Sequence, residues 1–271
     1  MTYKQNLHTH SLYCDGTNTL EEMVQAAIEK GFDSIGFSGH SHIKNASYCM
    51  TPEGTEAYKQ EIGKLKVKYK NDIKIYCGIE YEMGSDVNLA DFDYTIGAVH
   101  AFEFGGRLYD VDDSLEVTKN IINSFFGGDG NAYAKAYFER LSTLPEYGNF
   151  DILAHFDLIT KFCDKEELFN INSKIYTSSA VEAAEALSGK IPFFEVNTGA
   201  VSRGYRKTPY PAPFIIKELK RLGFGAVVTS DCHNKDFLDC SFCEADELLK
   251  ECGFKEKYIL TESGFKPIAI K

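Results

Sequence analysis

The sequence predicts an α/β fold: a parallel sheet, closed into a barrel more readily than left open. Two observations predict it. Short apolar runs alternate about seven times with amphipathic stretches of helical period, the pattern of successive parallel βα units. Histidines and carboxylates then recur at the ends of the apolar runs, where a barrel of this kind builds its active site. The 271 residues suit one such barrel, read as a single domain over 1–271.

The runs read as strands are 4–7, 34–38, 73–79, 94–99, 151–154, 193–196 and 225–229. Most are short and β-branched or aromatic, as strands buried on both faces are. The first helix opens at Thr19, with Glu22 three residues on completing a capping box. Leu20, Met23, Val24, Ala27 and Ile28 then share one apolar face, and Gly31 ends it. Segments 55–70, 114–126, 132–147, 173–187, 213–222 and 242–252 read similarly. Two of these are consecutive, separated by Gly127, Gly128 and Gly130. There is no internal repeat, low-complexity tract or long linker.

Composition narrows the function. Hydrophobic residues make up 44% and charged residues 25%, the balance of a globular protein with a sizeable core. No stretch approaches the roughly 18 apolar residues of a membrane span, so no membrane association is expected. Forty acids against 29 basic residues leave a net charge of −11, which repels a phosphate backbone and disfavours nucleic acid as partner. The N-terminal MTYKQNLHTH lacks an apolar signal core. The eight dispersed cysteines read as reduced thiols. A cytoplasmic location is expected.

The placement of the seven histidines is the strongest signal. His8 and His10 end the first run, His40 and His42 follow the second, His100 the fourth, His155 the fifth and His233 the seventh. The third run ends at Glu80, and the seventh also supplies Asp231. No histidine falls within a helical segment. In extended chain, residues i and i+2 share a face, so His8 with His10, and Asp231 with His233, can each reach one ion. Imidazole and carboxylate are ligands for Zn²⁺, Fe²⁺ or Mn²⁺. A carboxylate buried among them, as Glu80 would be, needs cationic partners and can bridge two ions. Asp15 is a weaker candidate, because the Asp-Gly of YCDG is also a plain turn signal.

Arg203, Arg206 and Lys207 cluster after the sixth run, at the same rim. Basic groups there suit an anionic substrate, and arginine is the natural fork for phosphate. Cys240-Ser-Phe-Cys243 has no second pair, and the glycine-rich 125–131 lacks a P-loop's lysine. No nucleophile elbow is present. Cys232, between Asp231 and His233, should point away from both.

NLHTHS (6–11), GFSGHSH (36–42), YCGIEYE (76–82), GAVH (97–100), AHFD (154–157) and TSDCH (229–233), in this order, resemble the polymerase and histidinol phosphatase (PHP) superfamily. FFEVNTGAVSRGYRKTPYPAPFIIKEL (193–219) resembles its histidinol-phosphate phosphatase branch. The resemblance implies a distorted (βα)7 barrel of PHP type holding three divalent metal ions (Zn, Fe or Mn). It implies His8, His10, Glu80 and Asp231 at one ion, Glu80, His100 and His155 at a second, and Asp15, His40 and His233 at a third. Two positions depart from the family pattern. Asn6 stands where relatives often carry Asp, and Asp15 where some carry His, which bears on the third ion.

The activity so implied is hydrolysis of a small phosphate ester, L-histidinol phosphate, to L-histidinol and phosphate, a step of histidine biosynthesis. Arg203 and Arg206 would bind the substrate's phosphate. His42, two residues from His40 and so on its face in extended chain, is the candidate acid for the leaving group, with Asp231 as alternative proton carrier. Another phosphoesterase of the superfamily, acting on a nucleotide or phosphotyrosine, is the nearest alternative. A metal-dependent amidohydrolase also uses His-x-His on a barrel strand but usually lacks an Asp-x-His pair beside a basic clamp. A non-enzymatic metal store is the remaining class.

Overall fold

The computed structural model describes residues 3–44 and 46–271. Seven strands form one parallel sheet: β1 (Gln5–Asn6), β2 (Ser34–Phe37), β3 (Lys74–Glu82), β4 (Tyr94–Ala98), β7 (Ile152–Leu153), β8 (Phe193–Asn197) and β9 (Gly225–Thr229). They are neighbours in that order. A parallel bridge between Thr9 and Cys232, just past β1 and β9, brings the two edges together, and the His10 N–H donates to the Cys232 carbonyl at 3.0 Å. The barrel is therefore nearly closed, as expected, with ladders at the β1 and β7 positions only two residues long.

Helices α1 (Leu20–Glu29), α2 (Pro52–Lys68), α3 (Leu115–Phe126), α4 (Gly130–Ser142), α5 (Lys174–Leu187), α7 (Pro213–Arg221) and α8 (Phe242–Glu251) surround it, with one short turn, α6 (Gly199–Ser202), after β8. The capping box at Thr19 forms in full, its side chain accepting from the Glu22 N–H and the Glu22 carboxylate accepting from the Thr19 N–H. The helix expected over 132–147 ends at Ser142 and gives way to a 3-10 turn over Leu144–Glu146, where Pro145 cannot continue the ladder.

Two antiparallel hairpins were not expected. β5 (Ala101–Phe104) and β6 (Arg107–Asp110) turn through Gly105 and Gly106, both left-handed at φ 59° and 76°, which glycine adopts without penalty. β10 (Glu256–Thr261) and β11 (Gly264–Ala269) close the amino-terminal end of the barrel. There the Gln5 amide pairs with the Leu260 peptide, donating at 2.9 Å and accepting at 2.7 Å.

The barrel interior is packed, not open. Tyr94 crosses it, buried, and its hydroxyl donates to the carbonyls of Leu7 and Phe37. Any Cβ at Gly78 would collide with that ring, so glycine is required there. Leu7, Ile96, Ile152, Val227 and Leu260 complete this layer. With apolar packing filling the amino-terminal half, polar side chains can converge only at the carboxyl ends of the strands. Among the described residues, no helix is long and apolar enough to cross a membrane.

Candidate metal centre

His8 and His10 leave β1 on one face while the Thr9 hydroxyl turns outward to the Gly36 carbonyl. Both rings are fully buried, as are Glu80 and Glu82, which share a face of β3. β3 runs three residues beyond the expected end at 79 because Glu82 still pairs with Ala98 of β4. His40 bridges to Glu80, His100 follows β4, His155 follows β7, and Asp231 and His233 follow β9. Asp231 is left-handed at φ 45°, a strained conformation for a non-glycine residue that is held here beside the site.

Four atoms define the first position. The Nε2 atoms of His8 and His10 lie 3.2 and 3.5 Å from Glu80 Oε2, and 3.6 and 3.2 Å from Asp231 Oδ1. Ligand bonds of about 2.0–2.1 Å in a tetrahedral site leave neighbouring donors roughly 3.3 Å apart. Among the described residues, His8 Nε2, His10 Nε2 and Glu80 Oε2 are buried without any hydrogen-bond partner. Buried polar atoms are rarely left so, and an ion at their common centre satisfies all three. The residues present therefore fit a metal.

The other oxygen of Glu80 faces a second group. Oε1 is 3.2 Å from His155 Nε2 and 3.5 Å from His100 Nε2, and those two nitrogens are 3.1 Å apart. Asp15 gathers a third: Oδ2 is 3.1 Å from His233 Nε2, and Oδ1 is 3.6 Å from His40 Nε2. His10, Asp15, His40 and His233 form one cluster of ligand-type atoms, His8, His10 and Asp231 another, and His40, Glu80, Glu82 and His100 a third. In this last cluster Glu82 makes ordinary hydrogen bonds instead, accepting from the Nδ1 atoms of His40 at 2.8 Å and His100 at 2.9 Å. A carboxylate on Nδ1 puts the proton there and leaves Nε2 free to ligate. Glu195 does the same for His8 at 2.8 Å.

The charges are balanced within the cluster. Burial alone would push the Glu80 carboxyl up, but His8, His40 and His100 hold it well below the usual range. Burial likewise opposes charge on His8, yet Glu195, Glu80 and Asp231 prevail and raise it. His100, between Glu82 and Glu80, is raised to about 9 against the same burial penalty. His10 goes the other way, lowered to about 3 by burial and by His233 and His40. A site crowded with ionised carboxylates and one strongly neutral imidazole is poised to exchange protons for cations.

The centre opens into a cavity of about 510 Å³. Arg203 and Lys161 line it together with Asp110, Asp112 and Asp113. Arg203 donates to the Asp231 carbonyl and carboxylate, both at 3.3 Å. Lys161 donates to Asp112 Oδ2 at 2.9 Å. A second cavity, of about 330 Å³, lies at the opposite end between β1, β9, α8 and β10. Its lysines Lys4 and Lys257 are paired with Asp239 and Asp246, and none of the ligand-type residues of the centre lines it.

Two expected site residues are placed elsewhere. Arg206, expected beside Arg203 on the phosphate, is not in the cavity wall; it donates to the Thr160 hydroxyl, lies 3.9 Å from Asp157 and covers the Tyr210 ring. Buried Asp157 draws the guanidinium inward, so Arg206 fastens the loop that carries Arg203. His42 is also outside the wall, its Nδ1 3.1 Å from the Met50 carbonyl. Its expected position assumed extended chain, but β2 ends at Phe37 and only His40 bridges onward. Cys232 packs into the core between α1 and β2, away from the centre, and Cys240 and Cys243 are free thiols.

Sequence reasoning missed Glu82, Glu195 and Lys161. Glu82 is two residues from Glu80 and Glu195 two from Asn197, so strand periodicity placed both on the inward face; no motif marks Lys161. Asn6 explains itself: its amide donates to Leu238 and Ser230 while its oxygen accepts from the His8 N–H, a pattern a carboxylate could not complete.

A nearly closed seven-stranded parallel barrel, with a multinuclear His/Asp/Glu centre beneath a cavity that carries Arg203 and Lys161, defines a metal-dependent phosphoesterase. The PHP domain family matches residues 6–199, and the chain belongs to that family. It is 26% identical over 272 residues to a Schizosaccharomyces pombe protein named "Probable histidinol-phosphatase", covering 91% of this chain and 86% of that one. It is 27% identical over 282 residues to the Lactococcus lactis histidinol-phosphatase, covering 97% and 96%. The fold is that of a L. lactis histidinol phosphate phosphatase solved with zinc, L-histidinol and phosphate, at a TM-score of 0.73 and 20% identity over 97% of this chain and 98% of that one.

Proposed function

We propose that this protein hydrolyses L-histidinol phosphate to L-histidinol and phosphate, within histidine biosynthesis, and that residues 1–271 act as one barrel domain. The observation that carries the reading is Glu80, whose two oxygens face separate ligand groups beneath a cavity lined by both cations and carboxylates. The names of the relatives support the substrate.

His8, His10, Glu80 and Asp231 would hold one divalent ion, Glu80, His100 and His155 a second, and Asp15, His40 and His233 a third, with Zn, Fe and Mn all suited to these donors. Such ions, when bound, supply activation of water as a nucleophile at neutral pH and polarisation of the phosphoryl group. The protein's own part is placement. Arg203 grips the phosphate's non-bridging oxygens as a planar fork, and Lys161 adds a point charge beside it. Arg206 keeps the Arg203 loop in position. Asp231, with Oδ1 toward the ligand histidines and Oδ2 toward Arg203, takes a proton from the attacking water and returns it to the departing alkoxide. Asp110, in the cavity lining, is placed to meet the cationic end of the substrate.

The test is a panel of histidinol phosphate, a nucleoside 5′-monophosphate and phosphotyrosine. Histidinol phosphate should lead in kcat/KM by roughly 10²-fold, because its cationic end matches Asp110 in the cavity wall and the other substrates leave that carboxylate unmatched. Equal values across the panel would remove the substrate assignment and leave a general phosphomonoesterase.

A further inference from the structure

Four of the ligand-type histidines differ in what touches Nδ1. For His8, His40 and His100 the neighbour is a carboxylate, Glu195 for the first and Glu82 for the other two. For His233 it is a cation: Arg203 Nη1 lies 2.9 Å from His233 Nδ1. A guanidinium can only donate, so that contact makes Nδ1 the acceptor and puts the ring proton on Nε2. His233 Nε2, 3.1 Å from Asp15 Oδ2, then donates to Asp15. A nitrogen that carries a proton cannot ligate an ion.

The ring has another tautomer within reach. His233 Nδ1 is also 3.1 Å from the Asp231 carbonyl. With the proton on Nδ1 and donated there, Nε2 turns its lone pair toward Asp15. Arg203 blocks this tautomer, because its N–H and the ring N–H would then point at one another. Arg203 is itself lightly held, with two other bonds of 3.3 Å and a side chain 29% exposed on the cavity wall.

We infer that Arg203 is a positioning residue for the third ion: it locks His233 in the non-ligating tautomer until an anion in the cavity draws the guanidinium away, so phosphate and the third ion bind as a linked pair. This rests on the reading of Asp15, His40 and His233 as an ion position and of Arg203 as a phosphate ligand. Linkage is reciprocal, so the third ion also raises affinity for phosphate. The cavity then assembles its full set of cations only when substrate is present.

The decisive comparison needs no phosphate, since phosphate bound to the ions would tighten them by itself. Mn²⁺ is titrated into the full chain by equilibrium dialysis and counted by metal analysis, for the wild type and for Arg203→Met, which keeps the stem and removes the donors. The weakest class of Mn²⁺ should bind about tenfold more tightly in the variant, the scale on which an ion senses what bonds its histidine. Unchanged or weaker binding overturns the inference. ¹⁵N-histidine NMR of the wild type with two equivalents of Zn²⁺ tests it without any variant of Arg203, His233 being assigned by its loss in His233→Gln. The resonance should report Nε2–H before inorganic phosphate is added, and Nδ1–H there would overturn the lock. The readings beneath it fail differently. Absence of a third Mn²⁺ class would remove the ion position, whereas unaltered inhibition by phosphate in Arg203→Met would remove Arg203 from phosphate recognition and break the linkage even if Mn²⁺ affinity shifts.

Discussion

Glu195 Oε2 accepts the Nδ1 proton of His8 at 2.8 Å, and both side chains are sealed from solvent. The same carboxylate accepts from the Thr229 hydroxyl, the His155 backbone N–H and the Asn197 amide, at 2.8, 2.7 and 2.7 Å. Burial would push its carboxyl up, yet His8 holds it down and ionised. One side chain on β8 thus sets the tautomer of a histidine after β1 and the backbone of a histidine after β7. It couples two ligand groups that are far apart in sequence.

Glu195→Gln tests that coupling. An amide replaces one accepting oxygen with a donating NH₂ where two donors converge on each oxygen, so two N–H or O–H groups lose their partner. Metal affinity should fall about 10–100-fold, the usual effect of removing the group behind a ligating histidine. Turnover should fall in parallel at limiting metal and recover when metal is in excess. Competition with a graded chelator measures the first, and a rate series against metal concentration the second. Full affinity in the variant would take Glu195 out of the ligand framework.

Glu80→Gln should do more. Its two oxygens face different nitrogen sets, and a neutral amide can neither offer two anionic donors nor offset two dications. More than one ion should be lost per chain, with affinity falling by more than the roughly 10–100-fold of an outer partner. Metal analysis beside steady-state rates checks this. Loss of a single ion with the rest retained would mean that Glu80 serves one position and does not bridge.

The strand ends were legible because period-2 chain and barrel closure together dictate which side chains converge. His8 with His10 follows from that rule, and Glu82, which was missed, obeys it too, two residues on from Glu80. The rule failed for His42, because β2 stops at Phe37 and the chain past His40 bends away with no ladder to keep it extended. The hairpin of β5 and β6 carried its own signal in Gly105-Gly106, hidden by a short run that looked like a link between strand and helix. Lys161 had none. It reaches the cavity through a 3-10 turn over Leu158–Thr160, and a turn of that length has no periodicity to read.

Lys161 and Asp112 predict a dependence on pH. Burial would raise the Asp112 carboxyl, but Lys161 and then His100 outweigh it and hold it at about 2. A depressed carboxyl contributes stability above its unfolded value of about 3.9, and that contribution is lost as pH falls toward 2. The pair is largely buried, its side chains 10% and 23% exposed. Lys161→Met leaves Asp112 without its cation and should cost about 2 kcal/mol at pH 7. The gap between wild type and variant should narrow between about pH 4 and pH 2. Denaturant unfolding at pH 7 and pH 3 measures both. A gap equal at the two pH values would assign the loss to the ammonium's contacts with the Phe162 and Tyr205 rings, whose centroids lie 5.5 and 5.0 Å away.

His42 separates two routes for the leaving-group proton. A histidine acid would have to reach the alkoxide, yet its Nδ1 bonds the Met50 carbonyl and the ring is absent from the cavity wall. Asp231, by contrast, stands in that wall with Oδ1 toward the ligand histidines and Oδ2 toward Arg203. Losing a general acid slows an alkyl phosphate by about 10²–10⁴-fold while sparing an aryl phosphate, whose phenolate leaves unaided. For His42→Asn, histidinol phosphate and 4-nitrophenyl phosphate should therefore slow alike and within about threefold, far short of that range. Metal content should match the wild type, because His42 belongs to none of the ligand groups. A loss confined to histidinol phosphate would show that the loop after β2 swings His42 into the cavity when substrate binds, and would return the acid role to it.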